Sequence, residues 1–319
     1  MHHELLAKLK ALGEPTRLRI VTLLSRGELT VSEIMHVLGQ SQPRVSRHLK
    51  LLADAGLCER FPEGGWVFYR LARNRVGEKL AALIEEMSDS ADADIARDLA
   101  RLEDIKRLRA ETAEKYFEKA AGGWARIRSL QFPEAGVEDA MREMAGDRRF
   151  GLHLDVGTGT GRMLELFADR AAEGMGVDLS REMLSVARSK ISEAGLSRHF
   201  VRQADASALP VETGAADLVT VHQVLHYLDA PGRAIAECAR VLAPGGLFLI
   251  VDFAEHEFEA FRVEHHHRHL GFAPETMSAW LAEAGLVEAE RRELPPEGVE
   301  SGLTVTIWSA EKPAGEAVP

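Results

Sequence analysis

From about residue 150 the chain alternates short apolar stretches with amphipathic ones, and this alternation constrains the fold more than any other feature. Strands are predicted at 151–156, 173–177, 199–203, 216–221 and 247–252, with helices between them. Such an order favours an α/β fold, a doubly wound and largely parallel sheet with helices on both faces. Two more extended runs within 286–310 predict an antiparallel hairpin at one edge of the sheet.

The first of these strands leads into a glycine-rich turn, in the sequence GLHLDVGTGTGRMLEL from residue 151. Gly157, Gly159 and Gly161 would let the backbone come close to a ligand. A dinucleotide-binding fingerprint would need glycine at the next position, where this chain has Arg162. The turn therefore predicts a nucleotide-like ligand of another kind.

Three carboxylates follow the predicted strands of this region. Asp155 ends the first strand, Asp178 ends the second and Asp205 follows the third. Ligands of open α/β sheets bind at the carboxyl ends of the strands. Asp178 is expected to accept from two ribose hydroxyls, and Asp205 from an adenine amino group while the Ala206 N–H serves a ring nitrogen. The alternative is an ordinary α/β domain with acids at its strand ends.

Positive charge is concentrated at the N-terminus, although the whole chain has a formal net charge of −11. Residues 1–80 carry 13 Lys and Arg against 8 Asp and Glu, whereas the rest carries 26 against 42. Nucleic-acid binding needs local positive charge near phosphates. If the chain binds DNA, the N-terminal part is the one that does so.

A helix-turn-helix is predicted within that basic part. A helix at about 30–38 would brace a second helix at 42–55, whose apolar stripe is Val45, Leu49 and Leu52 with Leu51. Two extended runs within 58–71 predict a β-hairpin wing that carries Arg60 and Arg70. A protein-binding winged helix with a polar face is the alternative. The residues expected to reach DNA are Ser41, Gln42, Arg44, Ser46, Arg47 and His48.

These N-terminal segments resemble the ArsR/SmtB repressors over about residues 3–85. The resemblance rests on LLAKLKALGEPTRLRIVTLL, ELTVSEIMHVLGQSQPRVSRHLKLLADAGL and FPEGGWVFYRL. It implies a winged helix-turn-helix, a double-stranded DNA operator as partner, and a homodimer that pairs through its first and last helices. Many such repressors release DNA on binding a metal or metalloid.

The chain departs from that family at its metal sites. Thr30 and Ser32 stand where the family's arsenic site has cysteines, and no histidine lies between His48 and His153 for a zinc site. Hydroxyls are poor substitutes for thiolates as ligands of soft metals. We therefore predict no metal cofactor. His265 and His269, one turn apart on an expected helix, are the alternative metal ligands. Glu264 or one of these histidines could instead exchange a proton with a substrate or contact it.

The C-terminal segments resemble class I methyltransferases that use S-adenosylmethionine (SAM), over about residues 113–310. The small-molecule group with the ubiquinone-biosynthesis enzymes is the most similar, through LDVGTGTG, GMGVDLS, RQADASALP and LAPGGLFLIVDF. The resemblance implies a Rossmann-like fold that binds SAM or its product S-adenosylhomocysteine (SAH), and a segment around Tyr116 and Trp124 that covers the ligand. The implied ligand-binding residues are Asp155, Gly157, Thr158, Gly159, Gly161, Asp178, Leu179, Met183, Asp205, Ala206 and His222.

Taken together, the motifs predict two domains with different tasks. We expect a winged-helix domain at 1–88, a helical linker and ligand lid at 89–135, the methyltransferase fold at 136–310 and a disordered tail at 311–319. Cys58 and Cys238 imply no disulfide framework, and no apolar run approaches a membrane span, so the cytoplasm is expected.

Two functions remain open at this stage. In the first, the chain is a DNA-binding repressor with SAM or SAH as its effector. Fusions of these two families recur in bacteria, some beside methionine-cycle genes, which extends the first function to methionine-cycle control. In the second, it is an active small-molecule methyltransferase that also regulates its own operon. His222, His226 and Tyr227 are the candidates for a base beside the methyl group, and no catalytic residue is assigned.

Overall fold

A computed structural model of the chain describes residues 2–63, 66–72, 74–87, 92–128, 134–264, 267–296 and 302–314. The chain divides into two compact units, Met1–Glu111 and Thr112–Pro319. Among the helices of the described ranges, none has the length and apolar character needed to cross a membrane.

The first unit is a winged helix-turn-helix, as the sequence predicted. Its β-sheet has the order β1-β3-β2, in which β2 and β3 form the antiparallel wing and the two-residue β1 was not expected from the sequence. Its elements are α1 (His2–Leu12), α2 (Pro15–Ser25), β1 (Leu29–Thr30), α3 (Val31–Leu38), α4 (Gln42–Asp54), β2 (Cys58–Glu63), β3 (Trp66–Leu71), α5 (Arg75–Met87) and the first part of α6 (Ala93–Arg128).

Local sequence explains where the two helices of the helix-turn-helix begin and end. Thr30 caps α3 in a reciprocal capping box with Glu33, and Gly39 ends that helix with a φ of 64°. Ser41 occupies the N-cap position of α4, but its side chain makes no capping hydrogen bond. Pro43 lies in the first turn of α4, where its missing N–H costs least.

The buried face of α4 follows the predicted spacing with one exception. Val45, Leu49 and Leu52 are fully buried against the core of the first unit. Leu51 was also expected in this stripe, and that expectation was wrong, because its side chain is 41% exposed. A residue directly before Leu52 is rotated by about 100° around the helix, which turns it away from the core.

The first part of α6 belongs to the winged-helix unit, whereas the sequence placed it in a linker. Leu102 and Ile105 are buried in the core of that unit. The Arg19 guanidinium makes two hydrogen bonds to the buried Asp98 carboxylate, at 2.5 and 2.7 Å. Arg109 donates to both carboxylate oxygens of Glu33, at 2.7 and 2.6 Å. These contacts fix residues 93–111 to α2 and α3.

The second unit is built on a seven-stranded sheet of the order β6-β5-β4-β7-β8-β10-β9. Strands β6, β5, β4, β7 and β8 are parallel, and the five predicted strands are all confirmed. After the last part of α6, the elements are α7 (Glu134–Met144), β4 (Phe150–Val156), α8 (Arg162–Leu166), β5 (Ala171–Asp178), α9 (Arg181–Glu193), β6 (His199–Gln203), β7 (Ala216–His222), a 3-10 turn (Leu225–Tyr227), α10 (Pro231–Val241), β8 (Leu242–Phe253), α11 (Ala260–Glu264), α12 (Pro274–Glu283), β9 (Val287–Leu294) and β10 (Val305–Glu311).

The order in which strands are added reverses at β4, which makes the boundary between β4 and β7 the reference point for a ligand site. From β4 the chain continues outwards through β5 and β6, and then returns to the other side of β4 with β7 and β8. Ligands of doubly wound sheets bind outside the carboxyl ends of the strands at such a switch point. The fold therefore places the candidate site at the carboxyl ends of β4 and β7.

The predicted antiparallel hairpin is present, but its second strand lies inside the sheet. Strand β10 pairs with β8 on one side and β9 on the other, so that only β9 forms the edge. Trp308 of β10 is accordingly fully buried. Glu311, where the tail was expected to begin, is the last residue of β10, and 315–319 lie outside the described residues.

Candidate functional site

The leading end of α4 presents a basic, exposed surface in the first unit. Ser41, Gln42, Arg44 and Arg47 are exposed, and Ser46 is half-buried. His48 points back into the protein, where its Nδ1 lies 3.5 Å from a Glu14 carboxylate oxygen. Burial lowers the pKa of His48. Arg44 and Arg47 are thus the exposed cations of the first half of this helix, and Lys50 is exposed further along it.

The wing carries one of its two expected cations in an ion pair. Arg70 donates to Glu59 at 2.8 and 2.6 Å, which aligns two facing residues of the hairpin. Trp66 at the start of β3 is 60% exposed. Arg60 is exposed on β2. The hairpin has the wing geometry that the sequence predicted, with an aromatic residue near its tip.

In the second unit the turn after β4 has glycine at three positions with positive φ, and the first of them also lacks room for a side chain. Gly157 has a φ of 71°, and a Cβ there would lie 2.2 Å from a methyl group of Val224. Gly159 and Gly161 also have positive φ, of 50° and 83°. Because L residues disfavour this region, glycine is required by conformation at all three positions and by packing at the first.

A buried polar chain crosses the switch point beneath this turn. The Thr220 hydroxyl donates to Asp155 Oδ1 at 2.7 Å and lies 2.8 Å from His153 Nε2. All three side chains are at most 1% exposed. Burial raises the pKa of Asp155 to about 6, and Asp178 adds to that rise. The second oxygen of Asp155 has no hydrogen-bond partner among the described residues.

Asp178 organises the other side of the turn. Its carboxylate accepts from the Gly159 N–H at 2.9 Å and from the Ser180 N–H at 2.8 Å. Each oxygen keeps a further lone pair for a ligand. Leu179 beside it is 59% exposed, and Met183 is half-buried in the first turn of α9.

Asp205 lies in the loop after β6, at the same edge of the sheet. Its Oδ1 accepts from the Ser207 N–H and hydroxyl, at 2.8 and 2.7 Å, which lowers the pKa of Asp205. Ala206 is buried in the core next to it. The side chain of Asp205 is exposed, so its Oδ2 is accessible to a ligand.

The loop after β7 completes the edge on the far side of β4. Burial lowers the pKa of His222 to about 4, which keeps its ring neutral at pH 7. Gln223 has a φ of 56° and is the one non-glycine residue with positive φ in the described part of the chain. Such strained backbone occurs preferentially at ligand sites. The fold thus brings the predicted strand-end residues to one edge of the sheet.

Sequence reasoning missed the carboxylate that accompanies the expected base candidates. His226, in the 3-10 turn, has Nδ1 2.7 Å from Asp252 Oδ1. Asp252 lies near the end of β8 and is fully buried, and His226 is 2% exposed. A strand-end acid within VDF was visible in the sequence, but its partner lies 26 residues away along the chain.

His269 does not lie on the expected helix, because residues 267–270 are not helical. α11 ends at Glu264, and His269 lies beyond it with Nε2 3.0 Å from the Leu228 carbonyl oxygen. His265 and the side chain of Glu264 lie outside the described residues. Within the described ranges, no group of three or more His, Cys, Asp or Glu side chains is placed to hold a metal ion. The side chains of Tyr116 and Trp124 are not described either, so the lid stays a prediction.

Comparison with known proteins identifies the N-terminal unit. Residues 14–60 match the family model for bacterial regulatory proteins of the arsR family. The arsenic resistance transcriptional regulator ArsR1 of Pseudomonas putida is 37% identical over 97 residues, which are 30% of this chain and 75% of that protein. The chain belongs to the arsR family.

This arsR-family chain also carries a methyltransferase domain, matched at residues 154–250. Demethylmenaquinone methyltransferase of Thermus thermophilus is 40% identical over 31% of this chain and 46% of its own length. A ubiquinone biosynthesis O-methyltransferase of Burkholderia orbicola is 36% identical over 35% and 46%. The chain spans less than half the length of these two relatives.

A solved structure shows the same fold for the second unit. It comes from the complex between the Haloferax volcanii Trm112 methyltransferase activator and a methyltransferase, with 19% identity and a TM-score of 0.50. The match covers 63% of the arsR-family chain and 97% of that chain. At this level of identity the likeness concerns architecture alone.

Proposed function

We propose that this arsR-family chain is a homodimeric transcriptional repressor whose methyltransferase domain binds SAM or SAH as effector. The observation that carries the proposal is the edge of the sheet at β4 and β7. The switch point there has a glycine turn and a buried Asp155 carboxylate with one oxygen that accepts no hydrogen bond from a described residue. Beside them lies the Asp178 carboxylate, whose oxygens can each accept a further hydrogen bond. In this proposal methionine-cycle genes are the regulated set, and the cytoplasm, where an operator lies, is the location.

The polar groups at the carboxyl ends of the parallel strands fit the two ends of such a ligand. Asp155 would hold the positively charged methionine portion together with the turn at Gly157 to Gly161, because a buried carboxylate gains from a cationic partner. Asp178 would accept from the ribose hydroxyls. Asp205 and the Ala206 N–H would hold the adenine, with Leu179 and Met183 against its faces. When bound, SAM supplies a reactive methyl group beside His222.

The DNA-binding half of the proposal rests on α4. Its exposed Arg44 and Arg47 match the residues that pair with guanine in the major groove. The expected contacts of Ser41, Gln42 and Ser46 fit the same face, and His48 is placed to hold Glu14 instead.

The first helix supports the homodimer. Leu5, Leu6 and Leu9 of α1 are 56%, 48% and 56% exposed, and Leu83 of α5 is 49% exposed. Apolar surface of this extent on two helices favours burial in an interface. A dimer would present two α4 helices to two half-sites about one helical turn of DNA apart.

In this proposal, helix α6 transmits the effect of ligand binding to the DNA-binding helices. Its first part is fixed to α2 by Asp98 and to α3 by Arg109, and the helix continues beyond Glu111 to Arg128. Arg109 binds the same Glu33 that caps α3. A small rotation of α6 would therefore move the brace of the recognition helix. Glu33 also accepts from the hydroxyl of Thr30, which together with Ser32 stands where, by resemblance, the family's arsenic site has cysteines.

The test measures DNA binding and ligand binding as a pair. A duplex is selected from a random-sequence library by the full chain, and its affinity is measured by fluorescence anisotropy without ligand, with SAM and with SAH. We expect one ligand to change the affinity by about 5–150-fold, and calorimetry to show the same factor when that ligand is titrated with and without the duplex.

Variants of α4 provide the control for the DNA site. Arg44→Ala and Arg47→Ala are expected to cost about 1–3 kcal/mol each in duplex affinity if each makes a bidentate base contact. Lys50→Ala, at an exposed position later on the same helix, should cost less. If both ligands bind equally well and neither affects DNA, the effector role is wrong.

A further inference from the structure

The strongest unassigned feature is a histidine buried in the sheet of the second unit. His153 lies on β4, two residues before Asp155, and its side chain is fully buried. Residues two apart on a strand face the same side of the sheet, so both side chains lie on one face. Parallel strands covered on both faces consist mainly of apolar residues. A polar ring at this position costs stability, which points to a role other than packing.

The hydrogen bonds of Thr220 determine which ring nitrogen of His153 carries the proton. The Thr220 hydroxyl has a single hydrogen, which it donates to Asp155 Oδ1 at 2.7 Å. Its oxygen lies 2.8 Å from His153 Nε2 and can only accept there. Burial lowers the pKa of His153 to about 3, so the ring is neutral at pH 7. A neutral ring that donates from Nε2 has its lone pair on Nδ1, and this atom has no hydrogen-bond partner among the described residues.

These contacts form a chain of hydrogen bonds with one direction, from His153 through Thr220 to Asp155. A hydroxyl that accepts a hydrogen bond becomes a stronger donor. Because His153 donates to the oxygen of Thr220, the hydroxyl hydrogen stays directed at Asp155 Oδ1. The other oxygen, Oδ2, is buried and accepts no hydrogen bond from a described residue. It is therefore the oxygen that a ligand can use.

The charged surroundings of the chain favour a cation at that oxygen. Asp178, at the end of β5, adds to the rise in the pKa of Asp155. His199 on β6 adds to the fall in the pKa of His153, and the ring of Phe167 lies edge-on to His153 at 5.4 Å. Burial and a like charge both disfavour the ionised carboxylate. A positive group at Oδ2 would offset both effects.

We propose that His153 is a positioning residue of the effector site, which acts through Thr220 to keep Asp155 Oδ2 available for the amino group of the ligand's methionine portion. The inference rests on the proposed function, because it takes SAM or SAH to bind at the β4 edge. It adds a specificity to that site. Adenosine thioethers and sulfonium compounds that carry an amino-acid portion are selected over those that lack it, because only the former bring a cation to Oδ2.

The test measures the affinity of the full chain for SAH by calorimetry between pH 5 and pH 7. SAH changes its own charge little in this range, since an α-carboxyl has a pKa of about 3.3–3.7 and an α-amino group one of about 7.7–8.0. Burial raises the pKa of Asp155 to about 6. The affinity of the wild type should therefore fall about tenfold from pH 7 to pH 5, because the amino group needs the ionised carboxylate.

Two substitutions of His153 test its part in this pH profile. His153→Gln keeps an N–H donor at a similar reach, and it should follow the wild type. His153→Met keeps the length and removes the donor, so Thr220 donates more weakly and the pKa of Asp155 rises further. Its loss of affinity should begin about half to one pH unit higher, which makes SAH binding at pH 6 about two- to fivefold weaker than in the wild type.

A second ligand shows whether the effect is confined to the amino group. 5′-Methylthioadenosine has the adenosine thioether but no amino-acid portion. Its affinity should not fall from pH 7 to pH 5, and it should be the same in His153→Met as in the wild type. This result would also show that the variant is folded. If His153→Met weakens both ligands by the same factor, His153 only supports the fold and the inference is wrong.

The outcomes separate this inference from the proposed function. If SAH does not bind to the wild type, both fail together. If SAH binds and His153→Met keeps the wild-type pH profile, His153 does not position Asp155, while the effector site stands. Nitrogen NMR of the wild-type histidine side chains gives a test without variants, in which a neutral His153 with its proton on Nδ1 instead of Nε2 would also overturn the inference.

Discussion

Replacing Asp155 by asparagine separates two effects of its buried charge, the loss of stability in the ligand-free protein and the gain in ligand affinity. Asp155 is 1% exposed, and burial raises its pKa from 3.8 to about 6. Asparagine keeps the shape and one oxygen to accept from Thr220, and it removes the charge. We therefore expect Asp155→Asn to stabilise the ligand-free protein at pH 7.5.

The size of the effect follows from the change in pKa. A shift of about 2 units corresponds to about 3 kcal/mol, because each unit is worth about 1.4 kcal/mol. The folded state holds this proton more tightly than the unfolded state. The free energy of unfolding of the wild type should therefore fall by up to that amount as pH rises from about 4 to 6, and stay lower above it. The variant should lack this part of the pH dependence.

Calorimetric unfolding at pH 5 and pH 7.5 is the assay, with the second-unit transition followed separately. For a unit of this size, 3 kcal/mol raises the melting temperature by about 6–12 °C. Thr220→Val is the control, since it leaves the charged Asp155 without its donor and should lower the melting temperature. SAH affinity should change the other way, falling about 10–150-fold in Asp155→Asn, because the methionine portion loses a charged acceptor.

Two results would refute this reasoning. If Asp155→Asn melts below the wild type at pH 7.5, the charge of Asp155 does not destabilise the ligand-free protein. If the variant is more stable and binds SAH as well as the wild type, the carboxylate does not hold the ligand. A more stable variant with weaker binding supports a site that trades stability for function.

Three further predictions concern other parts of the molecule. Gly157→Ala should lower second-unit stability by about 2–4 kcal/mol in thermal unfolding, because its Cβ would overlap Val224, whereas Gly159→Ala, with no atom within 4 Å, should cost about 1 kcal/mol. Asp98→Ala should destabilise the first unit by about 3 kcal/mol by leaving Arg19 unpaired, measured by chemical denaturation, and equal stability would contradict a structural ion pair. Asp178→Ala should weaken SAH binding about 10–150-fold in calorimetry, and an unchanged affinity would remove it from the ribose site.

Much of the fold was visible in the sequence because local patterns determine it. Strands buried on both faces are short apolar runs. The helix-turn-helix carries its own boundary residues, with caps at Thr30 and Gly39 and a first-turn proline at Pro43. The glycine turn was equally visible, since positive φ leaves few alternatives to glycine. Leu51 was misplaced because apolarity alone does not say which side of a helix a borderline residue occupies.

What the sequence could not show are partners brought together by the topology. Asp98 meets Arg19 across 79 residues, and Arg109 meets Glu33 across 76. Neither pair follows a local spacing, so the start of α6 looked like a linker although it completes the winged helix. The same holds for the second unit, where Thr220 reaches Asp155 only because β7 returns to the side of β4.

Two buried carboxylates near the carboxyl ends of the parallel strands, Asp155 on β4 and Asp252 on β8, differ in a way that bears on function. Asp155, with a pKa of about 6, is mostly charged at neutral pH, and one of its oxygens accepts no hydrogen bond from a described residue. A buried carboxylate in this state would gain from a cationic ligand. Asp252 already has its partner, because His226 and two backbone N–H groups occupy its oxygens. The unsatisfied Asp155 on β4 and the paired Asp252 on β8, with β7 between them, are the reason to test this arsR-family chain for turnover and for DNA response in the same preparation.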